Sequence, residues 1–200
     1  MRDGIETSPT RRRILQVGFG VYASVVALPH TGGAAASNEA PLTPACDDGD
    51  DPTPSQTAGP FFTPNSPERT SLRERGVIGT SLVLTGFVLA RDCRPIAGAL
   101  LDFWHADDAG TYDNDGYRLR GHQFADDAGR YQLETIVPGL YPGRTRHFHV
   151  RVQAPAGPIL TTQLYFPDEP QNQRDRLFRP DLLMSHDDGM ARFDFVLEPS

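Results

Sequence analysis

The chain has 200 residues, 38% hydrophobic and 22% charged, the content of one domain and too apolar for a wholly disordered chain. Its 19 Gly and 18 Pro exceed a usual combined usage of about 12% and predict many turns, so short strands are favoured over long helices. The net charge is −7 and every basic residue is Arg, with no Lys, which argues against a basic nucleic-acid surface.

Residues 1–36 read as an address. Thr10, Arg11, Arg12, Arg13, Ile14, Leu15 and Gln16 resemble a twin-arginine export signal, and an apolar run over 14–28 leads to Ala34, Ala35 and Ala36 before Ser37. That run is shorter than the roughly 18 to 20 residues of a spanning helix, and Gly18 and Gly20 weaken it, so a cleaved leader is expected over an uncleaved anchor. The mature protein is then exported, acidic and without a stable membrane partner. Residues 37–80 are rich in Pro, Thr, Ser, Asp and Gly and read as an irregular N-terminal arm. Its acidic run over 47–54 reads as solvated, with a calcium loop as the alternative. Outside the cytoplasm Cys46 and Cys93 read as one disulfide pinning this arm, worth roughly 4 kcal/mol in the chain-entropy model. Two separate thiols, or a lipidated Cys46, are the alternatives.

Residues 81–200 form the body. Short apolar segments recur at 81–90, 99–106, 130–136, 147–154, 159–166 and 192–198, separated by Gly, Pro and Asp clusters. The pattern predicts an all-β fold, an antiparallel β-sandwich with long loops and little helix. Only residues 170–178 suit a short helix, with Pro170 in its first turn. Alternation puts His147, His149 and Arg151 on one strand face and Phe148, Val150 and Val152 on the core face. Likewise Thr161, Gln163 and Tyr165 oppose Leu160, Leu164 and Phe166, so two neighbouring strands present His and Gln to a common polar hollow.

Two imidazoles about 7 Å apart on one strand face can reach one metal, and imidazole suits Zn, Cu, Fe and Ni. A hydrogen-bonded histidine pair is the plainer reading of the spacing alone. Zinc hydrolysis finds little support, because the next acidic residue is Asp168, and a cupin site wants a Glu soon after His149. What lies close by is Tyr141, six residues before His147.

TYD at 111–113, PGLYPGRTRHFHV at 138–150, TTQLYFPDEP at 161–170 and FWHADDAGTYDN at 103–114 together resemble the intradiol ring-cleavage dioxygenases. The resemblance runs over about residues 56–198. It implies a non-haem iron(III) site with Tyr112, Tyr141, His147 and His149 as ligands, Arg144 as the active-site arginine and Gln163 as the active-site glutamine. Tyr141 and His147 then take the axial positions. The implied reaction opens a small aromatic diol of the catechol type with O2 to a cis,cis-muconate-type product. Phenolate oxygen is a hard ligand for a hard, highly charged ion, which displaces a proton normally held to a pKa of about 10. Two tyrosinates and a hydroxide balance the ion's charge, and Arg144 offsets charge on the electron-rich ring.

The segment between Tyr141 and His147 is shorter than in the cytosolic catechol and protocatechuate enzymes, and Arg146 precedes the first histidine. GRTRHFHV therefore resembles the short exported branch of the family. No helical dimerisation segment and no carbohydrate-binding domain are read in the sequence. Tyr117, Tyr131 and Tyr165 are rival ligands, with Tyr117 the most serious. Trp104 and Phe103 read as packing, His105 and His122 as hydrogen-bonded loop histidines, and His186 as part of a polar turn. Residues 86–104 and 126–143 also resemble transthyretin-like (prealbumin-like) modules, which bind or brace without catalysis. An exported zinc or copper protein is the third reading, using the histidines and leaving the tyrosines idle.

Overall fold

The computed structural model describes residues 51–198, so the proposed leader, Cys46 and the start of the acidic run lie outside the described residues. Among the described residues nine strands form two sheets: β1 Ser81–Ala90, β2 Leu100–Trp104, β3 Arg120–Phe124, β4 Arg130–Ile136, β5 His147–Gln153, β6 Ile159–Tyr165, β7 Ser185–Asp187, β8 Met190–Arg192 and β9 Phe195–Leu197. One sheet has the order β3-β2-β5-β6 and is antiparallel throughout. The other runs β4-β1-β8-β7, with β9 also on β1. Helix is confined, among the described residues, to two 3-10 turns, Pro170–Gln173 and Pro180–Leu182.

The sheets face each other across an apolar core in which Leu84, Leu101, Phe103, Leu133, Phe148, Val150, Val152 and Phe195 are fully buried. Each such side chain contributes roughly 1.5–3 kcal/mol by leaving water. The alternation expected of 147–153 is observed: Phe148, Val150 and Val152 enter the core, and His147, His149 and Arg151 point outward. The sandwich departs from the expected antiparallel pattern at one edge, where β8 and β9 lie parallel to β1. The segment read as one strand over 192–198 is also broken at Phe193 and Asp194. Gly86 explains the break, since a Cβ there would stand 1.8 Å from the Phe193 carbonyl oxygen. The Asp194 carboxylate accepts the Phe87 N–H in place of a ladder bond.

Residues 51–72 act as a strap. They pair with β9 at Thr53, follow the β6 edge through the Gln56 N–H to Thr161 O bond, and cross the outward face of the antiparallel sheet. They then line the β3 edge, where His122 N–H donates to Pro67 O and Arg69 N–H to His122 O, and end on β4 at Leu72. Both edges of that sheet thus have backbone partners from the strap, and its outward face has a cover. Cys93 lies in the turn after β1 and is disulfide-bonded, while Cys46, its expected partner, is outside the described residues.

Candidate metal centre

The outward face under the strap carries rows of cross-strand neighbours. Trp104 pairs with His149, and His149 with Gln163; one step along, His147 pairs with Tyr165. The polar hollow expected from alternation is therefore present, roofed by Phe61 and Phe62. Phe62 lies edge-on to Trp104 at 5.0 Å, and Phe61 stacks on Tyr112 at 4.5 Å.

Tyr112 comes from the β2–β3 loop and Tyr141 from the β4–β5 loop, and two glycines let those loops touch. Gly110, at φ +83°, lies against the Leu140 carbonyl, where a Cβ would stand 2.2 Å from the oxygen. Gly139 meets Asp108 O and Gly110 N at 2.4 Å by the same measure, and its N–H donates to Asp107 O. Asp107 tightens the first loop further, its carboxylate accepting the Ala109 and Thr111 N–H groups. Any side chain at Gly110 or Gly139 would push the tyrosines apart. As built, their rings are 5.9 Å apart, edge to face.

Three donor atoms converge. Tyr112 Oη is 3.3 Å from His147 Nε2, which is 3.2 Å from His149 Nε2. Donors bound to one ion at about 2.0–2.1 Å stand close to these separations from one another. His147 Nδ1–H donates to Thr145 O at 2.6 Å, which leaves its Nε2 lone pair facing the cluster. His149 stacks flat on Trp104 at 5.0 Å, and its Nδ1 is buried without a partner. Burial, reinforced by the Arg144 charge, lowers the His147 pKa to about 4, and His149 is held well below its ordinary value by burial, His147 and Arg144. Both imidazoles are thus neutral at pH 7, the form that ligates. Burial pushes the Tyr112 phenol up, against the opposing charges of Arg144 and Arg120, so only a strongly charged ligand such as a metal would draw off its proton. This donor set of neutral imidazoles with one buried and one half-buried phenol fits a hard trivalent ion. Among the described residues no three of His, Cys, Asp and Glu group as a metal site, so a zinc or copper site would have only the histidine pair and phenols.

Arg144 Nη2 donates to Gln163 Oε1 at 2.5 Å, and Gln163 Nε2 donates to the strap at Thr57 O. All six residues singled out in the sequence therefore lie in one cluster. Two of the rival tyrosines point elsewhere, Tyr117 donating to Pro64 O and Tyr131 to Phe193 O, whereas Tyr165 borders the cluster, its hydroxyl 3.1 Å from Gln163 Oε1 and 2.7 Å from Leu177 O. Trp104 packs as expected, but against a histidine of the cluster. His105 is fully enclosed, with its Nδ1 2.7 Å from Ala106 O and its Nε2 2.6 Å from Thr135 Oγ1. His122 and His186 lie on β3 and β7 rather than in a loop and a turn. Sequence reasoning passed over Asp175, which holds Arg144 from 31 residues away, and Arg120, which braces the Tyr112 loop at Asp113 and reaches Phe61, 59 residues away; neither carries a local motif.

The neutral histidines have a consequence for stability. Burial lowers the His105 pKa to about 4, so between pH 6.5 and 4 the unfolded chain binds protons that the folded chain excludes. Stability of the metal-free protein is expected to fall as pH drops through that window, by about 3 kcal/mol for His105 alone and in the same direction for His147 and His149. Urea melts at pH 8, 7, 6, 5 and 4 check this. Midpoints should be flat from 8 to 7 and then decline.

A family model described as Dioxygenase matches residues 57–199. Catechol 1,2-dioxygenase of Candida albicans is 29% identical over 154 residues, 63% of this chain and 51% of that protein. Hydroxyquinol 1,2-dioxygenase of a Rhizobium species is also 29% identical, over 151 residues, with 62% and 51% coverage. This chain spans about half the length of these curated relatives. Among solved structures, the dioxygenase domain of a dioxygenase carbohydrate-binding protein fusion from the cellulolytic bacterium Streptomyces sp. SirexAA-E superposes with a TM-score of 0.73 at 55% identity. The match covers 75% of this chain and all of that one.

Proposed function

The chain belongs to the intradiol ring-cleavage dioxygenase family, and from that premise we propose that it is a non-haem iron(III) enzyme opening a catechol-type ring with O2 to a cis,cis-muconate-type product. The observation that carries this reading is the convergence of Tyr112 Oη, His147 Nε2 and His149 Nε2 beside Tyr141. Tyr112, Tyr141, His147 and His149 would hold the ion. Bound there, iron(III) would supply the electron-withdrawing acidity that makes a catecholate ring reactive toward O2.

The remaining work falls to the protein's own groups. Thr145 O keeps the His147 proton on Nδ1, so Nε2 stays available. Tyr141, the more exposed of the two tyrosines, would take up one of the two diol protons at its Oη as a phenolate, and a hydroxide would take the other and leave as water. Arg144 sets a fixed positive charge beside the ring to balance the electron density developing on it, and Gln163 steadies that guanidinium from below. Phe61 and Phe62 exclude water, which strengthens both effects.

Export through the leader at 1–36, with processing after Ala36, belongs to the same proposal. A disulfide at Cys93 suits an oxidising compartment, and the cellulolytic source of the 55%-identical Streptomyces domain supports a plant-phenolic substrate. Oxygen-electrode assays of iron-loaded protein over catechol, protocatechuate, hydroxyquinol and larger diols, with product masses, test the reading. A product heavier than its substrate by both atoms of O2 is expected for at least one diol; an absence of oxygen uptake with every one of them contradicts the reading.

A further inference from the structure

The best-buried carboxylate near the cluster belongs to Asp175, whose side chain is only 2% exposed, in the loop after the first 3-10 turn. Its Oδ2 accepts two donors at 2.8 Å, Arg144 Nε and the Thr145 N–H, and its Oδ1 accepts the Leu177 N–H at 2.9 Å. Burial works to raise its pKa, yet the Leu177 and Thr145 N–H groups and Arg144 outweigh that and hold it below the ordinary value.

One carboxylate therefore fixes two neighbouring things. Through Nε it leaves the far end of the Arg144 guanidinium free to reach Gln163 Oε1. Through the Thr145 N–H it anchors the residue whose carbonyl sets the His147 tautomer. Asn172 adds to the clamp by accepting the Thr145 hydroxyl proton at 2.6 Å. A guanidinium on a flexible stem has many poses, and its charge helps a reaction only in one of them. We propose that Asp175 is a positioning residue for the ring-cleavage reaction, holding Arg144 in the pose that serves the substrate. The inference rests on the proposed dioxygenase reading and goes beyond it in assigning a role to a residue outside every motif in the sequence.

The test is a cycle of Asp175→Asn, Arg144→Gln and the double variant, each iron-loaded. Asp175→Asn is expected to lower kcat about 100-fold with KM changed less than about 3-fold, and to keep iron content near wild type. The double variant should lose no more than Arg144→Gln alone, because the amide oxygen of an asparagine still accepts the Thr145 N–H and what is lost is the charge that holds the arginine. Losses that multiply, or an unchanged kcat in Asp175→Asn, overturn the proposal. A second readout needs neither turnover nor a variant that folds: in the metal-free wild type the Arg144 Nε–H resonance should exchange with water much more slowly than that of free arginine. Exchange at the free rate also overturns it. Wild-type protein that opens no diol instead overturns the dioxygenase reading, an outcome distinguished by its independence of residue 175.

Discussion

Replacing His149 with alanine is expected to abolish iron retention and ring cleavage together. His149 supplies one of the three converging donor atoms, and its buried ring lies flat on Trp104. Altering the outer partners of a metal ligand costs about 10–100-fold in affinity, so loss of a ligand itself should exceed about 100-fold. Tyr141→Phe separates the donor atom from the packing, because it keeps the ring against Phe61 and Tyr112 while removing only the hydroxyl. It should leave thermal stability near wild type while shifting the visible band and slowing oxygen uptake by a similar factor. Iron content by elemental analysis, absorbance and an oxygen electrode together read both variants; if neither variant changes any of the three, the ligand assignment is wrong.

The second large effect concerns Arg120, which is 2% exposed and directs its donors at main-chain carbonyls. Nε and Nη2 donate to Asp113 O, next to Tyr112, and Nη1 donates to Phe61 O, whose ring stacks on Tyr112. The guanidinium thus ties the ligand loop to the strap that covers it. Arg120→Leu keeps apolar volume but strands two carbonyls, at about 1–3 kcal/mol each. A stability loss of about 3 kcal/mol is expected, with iron retention against a chelator weakened about 10-fold or more as Tyr112 loosens. Thermal melts of the metal-free and iron-loaded forms measure both. A variant that melts and holds iron like wild type would show that the strut is dispensable.

Much of this architecture is legible in sequence because sheet periodicity is a strict constraint. Ser81–Ala90 and Arg130–Ile136 fall where alternation puts them, and the two faces of His147–Gln153 sort as period two requires. Strand β3 escapes notice because RGHQF has almost no apolar content; its inward positions are Gly121 and Gln123, and its register comes from β2 and the strap. Strand β8 is equally silent, and although β9 falls within the segment read over 192–198, nothing there reveals that both run parallel to β1, which depends on the free edge of β1 and on the missing side chain at Gly86. The six site residues stand out by family resemblance, while the parts that fix them in place do not. Asp175 lies 31 residues from Arg144, and Phe61 lies 59 from Arg120, and nothing in either local sequence announces such a partner.

The visible absorption spectrum of the purified, iron(III)-loaded protein is the most direct measurement, taken beside zinc-loaded protein and the Tyr112→Phe variant. Phenolate donation to a ferric ion predicts a coloured protein with one iron per chain, a band that changes when a diol is added, and none with zinc. A preparation that takes up iron and stays colourless, or whose band is indifferent to Tyr112, would contradict the assignment of phenolates to the metal.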